Sequence, residues 1–278
     1  MRLEPNYHRP RMHFAGDHSL NAARSEAQED ISINSTQLNA KLRDTPTETT
    51  SNSNIYDLAK TPIKISILKQ YLTSYDRTEA EFLLNGFTYG FPIQYTGPRL
   101  PRDAKNLRSA TLNPELIKSK IKKEIEAGRV GGPFHERPLP NLIVSPIGLV
   151  PKKAPGEYRM IHHLSYPQGQ SVNDFIDQQV CTVQYTSFDE AVKMVQELGQ
   201  NCKLFKTDIR NAYRLIPIQP SDFELLGFYF EQMYYFDKAL PFGASISCIT
   251  FERFARFLEF CVRQKLKSYS LPRRFFRG

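Results

Sequence analysis

Two short apolar runs, Ile147-Gly148-Leu149-Val150 and Tyr158-Arg159-Met160-Ile161, flank the segment Ala154-Pro155-Gly156-Glu157. Proline and glycine at adjacent positions favour a tight turn, so these runs read as two strands of one hairpin. A helix signal stands on each side of it. Upstream, Asn113-Pro114 places a capping side chain before a proline at the first helical position, and Ile117, Ile121 and Ile125 follow on one face up to Gly128. Downstream, Ser187-Phe188-Asp189-Glu190 is a capping box, followed by Val192, Val195, Leu198 and a terminating Gly199. Strands and helices in this order predict an α+β fold.

A second hairpin is expected from Leu225 to Phe230 and Met233 to Asp237, with its turn near Glu231-Gln232. A final helix is expected from about Ser247, with Phe254, Phe257, Leu258, Cys261 and Val262 facing inward. Nearer the N-terminus, Ile65, Leu68 and Leu72 have helical spacing. Asn85-Gly86 and Tyr89-Gly90 read as breaks after Phe82-Leu83-Leu84, and Gly97-Pro98-Arg99-Leu100-Pro101 reads as a linker. Residues 1–55 are poor in large apolar residues, as Thr45 to Asn54 shows, and are expected to be disordered. The division is therefore 1–55 tail, 61–110 helical segment and linker, and 111–278 main domain.

Forty per cent hydrophobic residues are enough for a core, and a net charge of +8 is compatible with an anionic partner such as nucleic acid. Much of that charge lies late: eight basic residues between Arg253 and Arg277 face only Glu252 and Glu259. Cys181, Cys202, Cys248 and Cys261 lack C-x-x-C spacing and read as reduced thiols of an intracellular protein, cytoplasmic or nuclear. No apolar run reaches membrane-spanning length, and no secretory h-region opens the chain.

Candidate chemistry centres on Phe205-Lys206-Thr207-Asp208-Ile209-Arg210-Asn211-Ala212-Tyr213. It reads as a strand ending on a carboxylate, where Asp208 and the Ile209 carbonyl could face a hard cation. A helix N-cap aspartate is the bland alternative. Lys152, Lys153 and Arg159 flank the first hairpin, and an ammonium and a guanidinium fork both suit phosphate oxygens. Pro241-Phe242-Gly243 precedes the last helix, where glycine allows close approach to a ligand. His162 and His163 are adjacent and point to opposite faces of a strand, which disfavours a shared metal.

The run Ser145 to Lys153 followed by Tyr158 to Pro167 resembles the fingers motif of retroelement reverse transcriptases. Its ending, His162-His163-Leu164-Ser165-Tyr166-Pro167, is similar to DIRS-type retrotransposons, which pair the polymerase with a tyrosine recombinase. Tyr185 to Ala191, Leu226 to Phe230 and Lys238 to Pro241 look like the same group, so the resemblance spans residues 61–265. It implies an incomplete right-hand polymerase, fingers and partial palm. It further implies Asp208 as the first magnesium-binding aspartate, Tyr213 as the sugar gate, Lys152 and Arg159 on the triphosphate, and Phe242 and Gly243 against nucleotide and template. RNA or DNA template-primer and deoxynucleotides are the implied partners.

Two positions depart from the wider family: His163 stands where many members have aspartate, and Ser165 where they have arginine. A Tyr-x-Asp-Asp hairpin is also expected downstream of Gly243, where this chain has Leu271-Pro272-Arg273-Arg274-Phe275-Phe276. One codon choice for that run reads Tyr-Leu-Asp-Asp-Phe one base along. The expectation is a polymerase fragment inactive by itself. The alternatives are a non-catalytic nucleic-acid-binding relic and a fragment without function that folds poorly.

Overall fold

The computed structural model describes residues 54–152, 154–185, 187–202 and 208–267. The disorder expected of residues 1–53, the role of Lys153, the strand expected at Phe205–Thr207 and the Leu271–Phe276 run lie outside these residues. Ile55, assigned above to the tail, packs against the core.

Helix α1 spans Ile65–Leu72 and buries Leu68 and Leu72. Helix α2, Arg77–Tyr89, starts where the Asp76 side chain accepts the Glu79 amide at 2.9 Å. It runs straight through Asn85-Gly86, correcting the break expected there. A Cβ on Gly86 would lie 2.2 Å from the Phe91 ring, so this glycine admits an aromatic ring against the helix. The helix ends at Gly90, whose φ of +95° a side chain rarely adopts.

The Gly97–Pro101 stretch is fastened rather than a free linker. Arg99 donates to Asp222 at 2.6 Å, to Glu224 at 3.0 Å and to the Ser221 carbonyl at 2.7 Å. Asp222, buried, also accepts the Ile93 amide.

A single turn, α3 (Arg108–Thr111), leads to α4 (Pro114–Glu126), which buries Ile117 and Ile121. The proline start is as expected. The Asn113 side chain, however, donates back to the Ser109 carbonyl instead of capping.

Strand β1, Val130–Phe134, follows directly; β2 (Ile147–Pro151) and β3 (Tyr158–His162) form the predicted hairpin. Ile147 pairs with His162 and Pro151 with Tyr158. Strands β4 (Gly227–Phe230) and β5 (Met233–Asp237) turn through Glu231 and Gln232, both at positive φ. They extend a three-stranded antiparallel sheet in the order β1-β5-β4. The sheet meets the chain before β2 through Gly227, which exchanges backbone bonds with Ile143 and Ser145.

Helix α5 spans Phe188–Leu198, with the Ser187 hydroxyl accepting the Glu190 amide at 3.2 Å. None of its residues is buried, and Phe188 is 82% exposed. Helix α6, Ser247–Lys267, buries Phe254 and Phe257, whereas Val262, expected to face inward, is 40% exposed.

Two apolar clusters hold these elements. In one, Leu83 and Phe87 of α2 meet Phe254 of α6, Phe223 and Phe236. In the other, Ile117 and Ile121 of α4 pack on Val130, Ile147, Leu149 and Phe228. Each fully buried phenylalanine contributes roughly 1.5–3 kcal/mol of transfer free energy. The second cluster fixes α4 and the β2-β3 hairpin on one side of the sheet.

Candidate nucleotide cleft

A cleft of about 580 Å³ opens between α4, the β2-β3 hairpin, the Asp208–Arg214 segment and the loop before α6. Of the residues singled out from sequence, Lys152, Arg159, Asp208, Ile209 and Phe242 line it. Tyr213 and Gly243 do not.

Asp208 is solvent-exposed and forms no ion pair among the described residues. After it come a turn, Asn211 at φ +62°, and the short 3₁₀ helix Ala212–Leu215. The ring of Tyr213 lies 5.1 Å from that of Phe242 and 5.6 Å from that of Phe251. Its hydroxyl is 3.1 Å from the Cys248 sulfur. Burial, reinforced by that contact, raises its pKa above the usual tyrosine value. The Lys152 ammonium is paired with Glu157 at 3.0 Å across the hairpin tip. Both partners are largely exposed, so this pair is weak. The Arg159 guanidinium stands 4.6 Å above the Phe242 ring, within cation–π range.

The loop carrying Phe242 is tightly held. The His162 amide donates to the Phe242 carbonyl at 3.0 Å. Gly243 has φ +135°, and a Cβ there would sit 1.9 Å from the His162 oxygen, so only glycine lets the two backbones meet. Buried Asn173 brackets the loop from the other side. Its amide donates to Ser165 Oγ and to the Gly243 carbonyl, both at 2.8 Å, while its oxygen accepts the Ser245 amide at 2.9 Å.

Beneath the cleft lies a buried charge hub. Arg214 donates to Asp237 at 2.7 Å, to Glu124 at 2.9 Å and to the Ala239 carbonyl at 2.8 Å. Arg129 holds Glu124 as well. His162 presents Nδ1 to Asp237 and Nε2 to the Gly227 carbonyl, each at 3.0 Å. Burial pushes the Asp237 pKa up, but Arg214 and His162 outweigh it and hold the carboxyl below its ordinary 3.8. Burial likewise opposes the charge of Arg214, and Asp237 and Glu124 more than restore it.

The donor set bears directly on the implied magnesium. Among the described residues no three histidine, cysteine or carboxylate side chains converge on a metal position. Asp208 is available, whereas Asp237 and Glu124 are claimed by arginines. These residues do not by themselves make a magnesium site.

Lys120, Lys123, Glu124, Arg210 and Arg214 also line the cleft and were not singled out from sequence. Lys120 and Lys123 stand three apart on α4, which puts them on one helical face; that spacing was the available signal. Arg214 carried no local signal, because its partners are distant in the chain. A second groove of about 540 Å³, between α1 and α6, is lined by Ile67, Leu68, Tyr71, Phe254 and Phe257 and brings together no catalytic groups. No helix among the described residues is long and apolar enough to cross a membrane.

Residues 150–271 match the family model described as reverse transcriptase (RNA-dependent DNA polymerase). No curated protein matches significantly. Among solved structures, the chain is similar to the foamy viral protease-reverse transcriptase dRH in complex with double-stranded DNA. That match has 16% identity and TM-score 0.41, over 80% of this chain and 38% of the other. The foamy viral protease-reverse transcriptase in complex with RNA/DNA hybrid gives 16% and 0.43, over 78% and 28%. The native Prototype Foamy Virus protease-reverse transcriptase gives 15% and 0.40, over 73% and 28%. The chain thus spans less than two fifths of each of these proteins. The stretch similar to the reverse transcriptase (RNA-dependent DNA polymerase) family, residues 150–271, contains Arg159, Asp208 and Phe242.

Proposed function

We propose that residues 111–278 are the fingers and part of the palm of an RNA-directed DNA polymerase from a DIRS-type retrotransposon. In this proposal residues 61–110 form a helical lead-in. The cleft takes a deoxynucleoside triphosphate beside an RNA or DNA template-primer, in the cytoplasm or nucleus. Lys152 and Arg159 hold phosphate oxygens, and Phe242 keeps the Arg159 fork in place. Asp208 and the Ile209 carbonyl face a divalent ion, magnesium. Gly243 lets the loop approach nucleotide and template, and Tyr213, against Phe242, limits room at the sugar.

The observation that carries this reading is the convergence of Arg159, Asp208 and Phe242 on one cleft. The match of residues 150–271 to the reverse transcriptase family supports it. Polymerisation needs more than one acidic ligand to organise its metal ions. The polypeptide of these 278 residues is therefore expected to bind nucleotide without extending a primer.

Titration calorimetry with dTTP and magnesium tests the reading. Arg159→Gln should weaken binding on the order of tenfold, the scale of one charge-assisted contact. Asp208→Asn should remove only the magnesium-dependent part. Unchanged affinity in Arg159→Gln refutes the assignment, and magnesium-dependent primer extension by the unmodified polypeptide refutes the expected inactivity. The alternative, a non-catalytic binder, draws on the lysines of α4; it predicts salt-sensitive binding to RNA/DNA hybrid with no affinity for dTTP.

A further inference from the structure

Helix α4 divides its four lysines between two faces. Lys118 pairs with Glu115 and Glu231, each at 3.1 Å, and Lys122 faces Glu126 at 3.9 Å. Lys120 and Lys123, on the side of the cleft, form no ion pair among the described residues. Lys120 is partly buried, and its ammonium donates to the Tyr158 carbonyl at 2.5 Å. That bond pulls it against the β3 strand, beside Arg159.

The nearby carboxylates are already engaged, Glu124 by Arg129 and Arg214 and Glu157 by Lys152. Burial lowers the Lys120 pKa, and the neighbouring Lys152 and Lys123 lower it further. Like charges are therefore gathered here, and Glu157 and Glu124, which act on Lys120 in the opposite sense, are shared with other cations. Six basic side chains line the cleft against three acidic ones; with the hub residues Arg214, Glu124 and Asp237 set aside, five basic side chains face Asp208, so the open space is cationic. A cleft of one sign with low-dielectric walls concentrates counter-ions.

We propose that Lys120 and Lys123 form a second cationic wall of the cleft, opposite the Phe242 loop, that binds a polyphosphate anion. The hairpin side chains then need not hold the anion alone. The inference rests on reading the cleft as a nucleotide site, and adds that α4, outside the matched stretch, supplies part of it. A polyphosphate chain bridging α4 and the hairpin would neutralise Lys120, Lys123 and Arg159 together.

The test is titration calorimetry of the full chain with inorganic tripolyphosphate, free of metal, at low and moderate salt. Circular dichroism melts confirm folding of each variant. Lys120→Gln/Lys123→Gln should weaken binding on the order of tenfold and flatten its salt dependence. Lys118→Gln/Lys122→Gln, on the other face of the helix, should bind as the unmodified chain does.

A short single-stranded oligonucleotide is the second ligand. It should lose less affinity than tripolyphosphate in the Lys120/Lys123 double variant. A larger loss for the oligonucleotide would make α4 a path for a nucleic-acid backbone and overturn the proposal. Unchanged tripolyphosphate affinity in that variant, with loss in Arg159→Gln, overturns the α4 wall and leaves the cleft assignment standing. No tripolyphosphate binding by the unmodified chain overturns both.

Discussion

Replacing Arg214 by methionine tests the hub beneath the cleft most directly. The arginine side chain is 8% exposed and the Asp237 side chain 5%. Methionine fills much of the same space but donates nothing. Glu124 would keep Arg129 at 2.9 Å, whereas Asp237 would be left with His162 alone. Removing one partner of a buried ion pair costs about 3–5 kcal/mol, mostly because the remaining charge stays buried. The Ala239 and Leu240 carbonyls would also lose their donor.

The chain has no tryptophan, so urea unfolding is best followed by circular dichroism. The expected result for Arg214→Met is a loss of about 3–5 kcal/mol. Adding Asp237→Asn removes the stranded charge. The double variant should then be about 1–3 kcal/mol more stable than the sum of the single effects implies. A single-variant loss below about 1 kcal/mol, or strict additivity, would show that the hub does not compensate a buried charge.

Asp237 also predicts an acid limb. Its folded-state pKa is depressed below 3.8, so its contribution is complete above the ordinary carboxylate range and is lost as pH falls toward the folded value. Asp237→Asn should flatten that limb in urea midpoints measured from neutral to acid pH. Gly243→Ala should cost about 1–3 kcal/mol through the clash with the His162 oxygen. Gly156→Ala, at φ +75° with nothing within 4 Å, should cost only about 1 kcal/mol by thermal melt. Asn173→Ala should cost about 1–3 kcal/mol and speed hydrogen exchange at the Ser245 amide; protection like that of the unmodified chain would count against the bracket.

Local chemistry made part of this structure legible. The Asn113-Pro114 start, the Ser187 capping box and the Ala154–Glu157 turn each act within a few residues, and all three elements formed. Strand β1 was missed because Gly131-Gly132-Pro133 reads as a breaker. Its pairing is with β5, a hundred residues on, where Gly131 lies against the Phe236 ring. Gly86 misled in the same way, since its reason is a ring packed from outside the helix. In the cleft, Arg159 and Asp208 stood out as residue types suited to phosphate and metal, and Phe242 through its place beside Gly243 and the family resemblance. The hub did not, because Glu124, His162, Arg214 and Asp237 meet only through tertiary pairing and no spacing announces them.

Helix α5 is eleven residues long with no buried side chain. Isolated helices shorter than about 12–15 residues are marginal in water. Its backbone order is therefore carried largely by the Ser187 cap and the Gly199 terminus. In hydrogen–deuterium exchange these amides should open well before those of α4.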